Sequence, residues 1–241
     1  MGTSPMRGRF SPLIKADAME KFTTLTASAC PLRLANVDTD QILPARYLKV
    51  KRAAGFGPFL FHDIRRDTRG ELRNDFPLNQ TRWHDAKILV AGRNFGGGSS
   101  REAAVYALCD AGFRCVIAPS FGDIFSQNAT KNGLLTATVS DDAAAEIVAE
   151  IETAPDLPLT VDLENRQIRR GNRGWEFAID SARRERLLNG WDDIAMTQSL
   201  KSQIAAFRSQ DEDAHAWKYP ALGKAAADSN ALDRTTLVEE L

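Results

Sequence analysis

The sequence predicts an α/β fold that mixes parallel and antiparallel strands, on three observations. Between residues 87 and 153, short apolar runs alternate with helix-length amphipathic segments, the pattern of parallel strands joined by right-handed helical crossovers. After Pro155 the text changes to short strand-like runs separated by Asn and Gly turns, which reads as an antiparallel meander. The 241 residues, 43% hydrophobic and 26% charged, have a globular composition and suit one large domain or two small ones.

Taken in order, Phe22 to Ala29 alternates apolar residues with Thr and Ser, as an early strand would. A turn-rich stretch, Asn36 to Gln41, leads into Ile42 to Leu48. Residues 49–82 carry Gly55-Phe56-Gly57-Pro58 and scattered charges, predicting a long irregular loop with short elements, a length that is often functional. Lys87 to Ala91 reads as a buried strand, Ser100 to Ala111 as a helix and Arg114 to Ala118 as the next strand. Pro119-Ser120 opens a helix to about Lys131, stopped by Asn132-Gly133. Leu134 to Val139 is a strand, and Asp141-Asp142 place negative charge at the start of an Ala-rich helix to about Thr153. Leu159 to Leu163, Gln167 to Arg169 and Trp175 to Ile179 form the meander, and residues 181–208 return to helix. The polar stretch beyond Gln210 is expected to be extended, mobile or in contact with a partner. Residues 1–18 hold Arg7, Arg9 and Lys15 without a long apolar core, so they make a poor signal peptide, and Met19 offers a second start. This divides the chain into a disordered or non-native leader (1–18), a domain (19–208) and a polar extension (209–241).

Composition excludes several functions. A net charge of −1 argues for neither nucleic acid nor an anionic membrane surface. No apolar run approaches the ~20 residues needed to span a bilayer. Cys30, Cys109 and Cys115 are odd in number and widely spaced, which fits a reducing cytoplasm, with the last two reading as small buried hydrophobes. No Cys-x-x-Cys pair is present, and His62, His84 and His215 lie far apart, so no local metal motif or histidine triad is visible. The P-loop, the dinucleotide-binding glycine pattern and the Gly-x-Ser-x-Gly elbow are all missing.

The chemistry concentrates in Gly96-Gly97-Gly98-Ser99-Ser100-Arg101-Glu102, between an apolar run and a helical one. Glycines let the main chain approach a ligand closely, and unpaired N–H groups at a helix start favour an anion such as a carboxylate or phosphate. The same residues also allow an ordinary strand-to-helix turn, with Ser99 or Ser100 as N-cap and Glu102 in the first turn.

Beyond its local chemistry, the sequence resembles a known family. Asn36-Val37-Asp38-Thr39-Asp40-Gln41-Ile42-Leu43-Pro44-Ala45-Arg46-Tyr47-Leu48 is similar to a signature of the small subunit of 3-isopropylmalate dehydratase. So is Ile88-Leu89-Val90-Ala91-Gly92-Arg93-Asn94-Phe95-Gly96-Gly97-Gly98-Ser99-Ser100-Arg101-Glu102. Ser120-Phe121-Gly122-Asp123-Ile124-Phe125, Asn128 to Gly133 and Leu188 to Ile194 follow in family order, so the resemblance covers about residues 20–205. It extends more weakly to the C-terminal swivelling domain of aconitase.

The resemblance implies a swivelling β/β/α domain that closes over a branched hydroxy-dicarboxylate held by a large subunit carrying a [4Fe–4S] cluster. This chain would hold no cofactor of its own. The reaction implied is interconversion of 2- and 3-isopropylmalate through 2-isopropylmaleate in leucine biosynthesis, with the open iron acting as Lewis acid on the departing hydroxyl. Ser99 would be the base, its alkoxide held by glycine N–H groups such as that of Gly98, by the helix N-terminus and by Arg101. Arg101 would grip a substrate carboxylate as a fork, with Ser100 adding a hydrogen bond. Asp38, Thr39 and Asp40 would support the loop, against a plain Asx-turn reading. Arg46 is either a second carboxylate anchor or an ordinary surface charge, and Tyr47, Leu48 and Lys49 resemble the specificity segment. Two departures stand out: Gly97 where the family usually has cysteine, and Ala103 and Val105 where it often has histidine and proline. They leave open a paralogous hydro-lyase acting on a citramalate- or dimethylmalate-type substrate. A non-catalytic anion-binding module is the remaining reading.

Overall fold

The computed structural model describes residues 19–218, so the expected leader (1–18) and the last part of the expected extension lie outside the described residues. Residues up to Asp193 form one compact unit, and those from Ile194 a second.

The first unit is built on two four-stranded sheets. The single early strand expected over Phe22 to Ala29 is two, β1 (Thr24–Ala27) and β2 (Ala29–Leu32), and each belongs to a different sheet. β1 alternates exposed with half-buried residues, as a strand with one wet face does, whereas β2 is buried throughout. Pro31 is tolerated in β2 because β2 is an edge strand, with a ladder on one side alone. The parallel sheet runs β2-β3-β4-β5, with β3 (Ile88–Ala91), β4 (Cys115–Ala118) and β5 (Leu135–Thr138). β3 and β4 are buried along their whole length, which is why their sequences are continuous apolar runs.

A short helix, α1 (Thr39–Ile42), follows β2. The crossover helices are α2 (Glu102–Asp110) and α3 (Asp123–Lys131), which pack on each other. α4 (Asp141–Thr153) starts where its acidic residues predicted, capped by the Ser140 hydroxyl on the Ala143 N–H at 3.1 Å, and lies against β2, β3 and β4.

The antiparallel sheet runs β1-β6-β7-β8, with β6 (Leu159–Asp162), β7 (Gln167–Arg170) and β8 (Arg173–Glu176). The third meander strand was expected at 175–179. It begins and ends earlier, because Ala178 leaves the meander and pairs with Thr138 of the parallel sheet through bonds of 2.7 and 3.1 Å. Arg170 is 2% exposed and donates to the carbonyls of Ala154 and Leu157 at 2.5 and 2.8 Å, closing the carbonyl end that follows α4.

Residues 49–82 are irregular, as expected, but they are not loose. Short 3-10 turns at Arg52–Ala54, Gly57–Phe59 and Pro77–Asn79 hold Phe56, Leu60, Phe61 and Phe76 in the core. Asp110 at the end of α2 clamps the segment, accepting from Arg52 at 2.7 and 3.0 Å and from the Phe56 N–H at 2.7 Å.

The single helical stretch expected over 181–208 is interrupted. α5 (Ser181–Asn189) stops at Gly190, whose φ of 67° supplies the left-handed turn, and α6 (Asp193–Ser199) follows. In the second unit α7 (Lys201–Ala214) continues helically past residues 208 and 210, supported by an Arg208–Glu212 pair at 2.8 Å one turn apart. No described helix is long and apolar enough to cross a membrane.

Candidate active site

The loops that leave β2, β3 and β4 at their carboxyl ends are joined main chain to main chain, which is where open α/β sheets place ligands. The Gly92 N–H donates to the Leu34 carbonyl (2.9 Å), Asn36 to Arg93 (2.7 Å), Gly96 to Val37 (2.7 Å) and Thr39 to Gly97 (3.0 Å). On the other side Phe95 donates to Ser120 (3.0 Å) and Gly122 to Phe95 (2.9 Å). The Ser120 hydroxyl accepts from the Asn94 N–H at 2.8 Å, holding Asn94 at a φ of 56°. Contact at this density requires glycine: a Cβ on Gly96 would lie 2.2 Å from the Phe125 ring, and one on Gly122 2.5 Å from the Gly96 carbonyl oxygen.

The glycine–serine loop therefore emerges from a rigid base. Neither Ser99 nor Ser100 caps α2: the N-cap is Arg101, in extended conformation (φ −93°, ψ 112°) and without a side-chain cap bond. The helix starts two residues later than expected because Arg101 takes the N-cap position while the Ser99 carbonyl is tied in the bend ahead of it. The Ser99 main chain is fixed through its carbonyl, which accepts from the buried Thr39 hydroxyl at 3.1 Å and from the Arg101 N–H at 2.8 Å. Its hydroxyl is exposed and makes no hydrogen bond among the described residues, and neither do the N–H groups of Gly98, Ser99 and Ser100. Arg101 donates to Asp40 through Nη1, which leaves Nη2 and Nε open along one edge. Together these form a fixed, exposed hydroxyl beside free main-chain donors and half a guanidinium fork, suited to a carboxylate.

The structure brings Asp38, Thr39, Asp40, Gly98, Ser99, Ser100 and Arg101 into this one region. Asp38 adopts the turn reading, since its carboxylate accepts from the Gln41 N–H at 2.7 Å in a capping box that starts α1. Thr39 and Asp40 act on the loop itself. Glu102 turns away, accepting from Asn132 at 2.9 Å.

Arg46 is placed differently. It forms a bidentate pair with Asp63 and lies 4.6 Å over the Tyr47 ring, and among the described residues no hydrogen bond or ion pair joins it to the Ser99 loop. Tyr47 in turn stacks on Phe59 at 4.3 Å, while Leu48 and Lys49 are exposed. The hydrogen bond from Arg46 holds the Asp63 carboxyl down at about 2. Sequence reasoning missed Asp63, Phe59 and Ser120 as partners, because nothing periodic links them to the residues they hold. Asn36 and Asn94, both at positive φ, were the visible hint that the loops turn sharply.

These residues do not fit an iron–sulfur cluster. Among the described residues no group of three or more His, Cys, Asp or Glu side chains is placed to hold a metal. Burial pushes the thiols of Cys30 and Cys109 up to about 12, and that of Cys115 up as well, the opposite of what a thiolate ligand needs. Ser99 also stands outside the neighbouring cleft of about 470 Å³ that Ser120, Phe121 and Thr138 line.

Fold and loop define an α/β domain of the aconitase C-terminal class, and the profile of the aconitase C-terminal domain family matches residues 19–142. The 3-isopropylmalate dehydratase small subunit of Rhodospirillum centenum is 46% identical over 200 residues, 83% of this chain and 98% of that protein. Its counterpart from Salinispora arenicola is 51% identical over 191 residues, 79% of this chain and 95% of that protein. A solved structure of 3-isopropylmalate dehydratase from Methanocaldococcus jannaschii superposes with a TM-score of 0.55 at 26% identity, covering 76% of this chain and 98% of that one. The chain belongs to the family of 3-isopropylmalate dehydratase small subunits.

Proposed function

We propose that this chain is the small subunit of a cytoplasmic hydro-lyase that interconverts 2- and 3-isopropylmalate through 2-isopropylmaleate in leucine biosynthesis, and that it acts with a large subunit. The observation that carries the reading is the Ser99 loop: a pinned main chain, an exposed unpartnered hydroxyl, free N–H groups and an open edge of Arg101. In this reading the [4Fe–4S] cluster is the large subunit's, and this chain handles the proton and the carboxylate.

Arg101 and Ser100 hold a substrate carboxylate against the open face. The Ser99 alkoxide, stabilised by the Gly98–Ser100 N–H donors and the Arg101 charge, takes the proton from the carbon beside a carboxylate, and the freed electron pair forms the alkene as hydroxide leaves the adjacent carbon, where the Lewis acid of the large subunit would accept it. On rehydration hydroxide adds back to the carbon that lost its proton, and the Ser99 hydroxyl returns the proton to the neighbouring carbon, which restores the alkoxide and completes the isomerisation. Asp40 orients Arg101, and Thr39 fixes the height of Ser99. Arg46 reaches a second carboxylate by exchanging it for Asp63, while Tyr47, Leu48 and Lys49 shape the pocket around the branched side chain.

Reconstitution with the large iron–sulfur subunit tests this, following 2-isopropylmaleate by its ultraviolet absorbance. The chain alone is expected to be silent. Ser99→Ala should cut turnover by roughly 10²- to 10⁴-fold, with the subunits still co-eluting on size exclusion. Hydratase activity of the chain alone without iron, or full turnover in Ser99→Ala, overturns the reading. A second reading, a related branched malate as substrate, rests on Gly97, where any side chain would meet the Asn94 Oδ1 at 3.1 Å. Comparing citramalate and dimethylmalate with isopropylmalate in the same assay decides between them.

A further inference from the structure

A second cleft, of about 520 Å³, lies between the end of β2, residues 73–83 and the end of α4, and includes none of the Gly96–Glu102 loop. Its floor is apolar, with Leu32, Phe76 and Trp83 all buried. Three arginines and two carboxylates stand in its lining. Arg33 is paired with Glu152 at 2.8 and 2.5 Å, and Arg73 with Asp75 at 3.2 and 2.7 Å. Among the described residues Arg82 has no carboxylate partner, so one positive charge in the lining is uncompensated.

Arg82 is nevertheless held in place. Its Nε donates to the Gln80 Oε1 at 2.9 Å, and Gln80 is itself tethered to the Asn74 carbonyl at 3.3 Å. The guanidinium carbon lies 5.0 Å from the centre of the Trp83 ring, a cation–π distance. With Nε used and one face stacked, both terminal amino groups remain open, the geometry of a two-point fork for a carboxylate. The position relative to Glu152 agrees: that carboxyl is held below its ordinary value mainly by the bond from Arg33, and the charge of Arg82 adds to the effect.

We propose that this cleft binds a small monocarboxylate with an apolar body, its carboxylate on the Arg82 fork and its body on Trp83, Phe76 and Leu32. A doubly charged anion is disfavoured because Glu152 and Asp75 share the cleft. The apolar floor separates this ligand from an inorganic ion, which gains nothing from it. Gln41, which closes the capping box at the start of α1, also lines the cleft, so an occupant borders the same helical turn that carries Thr39 and Asp40.

The test is a titration of the full chain with phenylacetate, read at the Trp83 indole N–H by NMR. Phenylacetamide serves as the uncharged match and acetate as the charge without the body. Saturable shifts are expected with phenylacetate, with affinity at least roughly tenfold lower for both controls and for Arg82→Gln. Arg82→Gln should keep the full activity of the reconstituted enzyme. The proposal is overturned by the absence of saturable binding, by equal binding of the amide or of acetate, or by binding that survives Arg82→Gln. The two ligand controls use the unmodified chain, so the result stands even if the variant folds poorly.

Discussion

Gly96→Ala probes the seam that supports the site. The new Cβ would lie 2.2, 2.5 and 2.7 Å from three atoms of the Phe125 ring, and the main chain there has a φ of 73°. Holding a non-glycine residue in the left-handed region costs about 1–2 kcal/mol, and forcing a methyl into a filled core costs about 1–3 kcal/mol more. The sum, about 2–5 kcal/mol, should appear as a lower urea midpoint with an unchanged slope, followed by circular dichroism. Phe125 is 2% exposed, so Phe125→Ala is costly on its own, about 3–5 kcal/mol. It removes the ring, however, and with it the collision. The double variant should therefore be more stable than the two single losses predict, by about 1–3 kcal/mol. Additivity within about 0.5 kcal/mol would show that the ring is not what excludes a side chain, and the close-approach argument would fail. Turnover in the two-subunit enzyme should fall by on the order of 10²-fold with Gly96→Ala, since Gly96 sits three residues before the hydroxyl it helps to place.

Arg101→Lys keeps the charge but loses the fork, so the KM for the dicarboxylate should rise several-fold; unchanged kinetics would remove Arg101 from the site. The folded-state value of Asp63 lies near 2, below its ordinary 3.8, so its pair with Arg46 contributes fully above that ordinary value. The contribution is lost as pH falls through about 2, and a carboxyl-carbon NMR titration should show that midpoint in the wild type and a clearly higher one in Arg46→Gln. Burial raises all three thiols, so iodoacetamide at about pH 8 should modify Cys30, Cys109 and Cys115 far more slowly in the folded chain than in urea. Equal rates would contradict their placement.

The βαβ core was legible because its strands are buried on both sides, and uninterrupted apolar text such as Ile88 to Ala91 has few other uses. The exchange of sheets at Ser28 was not, since alternation before it and an apolar run after it read equally well as one strand. The start of α2 was misplaced for a chemical reason. Serines ahead of a helix look like caps, and only the three-dimensional contact with Thr39 shows that the Ser99 carbonyl is pinned outside the helix. The glycine loop was visible as chemistry, but the bonds that tie it to the loops after β2 and β4 run between main-chain atoms far apart in sequence. Side-chain patterns carry no trace of such bonds. The Arg46–Asp63 pair spans 17 residues of irregular chain, where no period exists to suggest a partner.

The cradle beneath Ser99 is assembled from amide and carbonyl groups that every residue other than proline possesses. Its shape is thus largely indifferent to which side chains decorate the three loops, and substitutions there retune recognition without redrawing the scaffold. Three places escape that freedom, Gly92, Gly96 and Gly122, where a single added carbon collides. Relatives that drift apart in sequence are free to keep the same loop posture, provided those three positions stay bare.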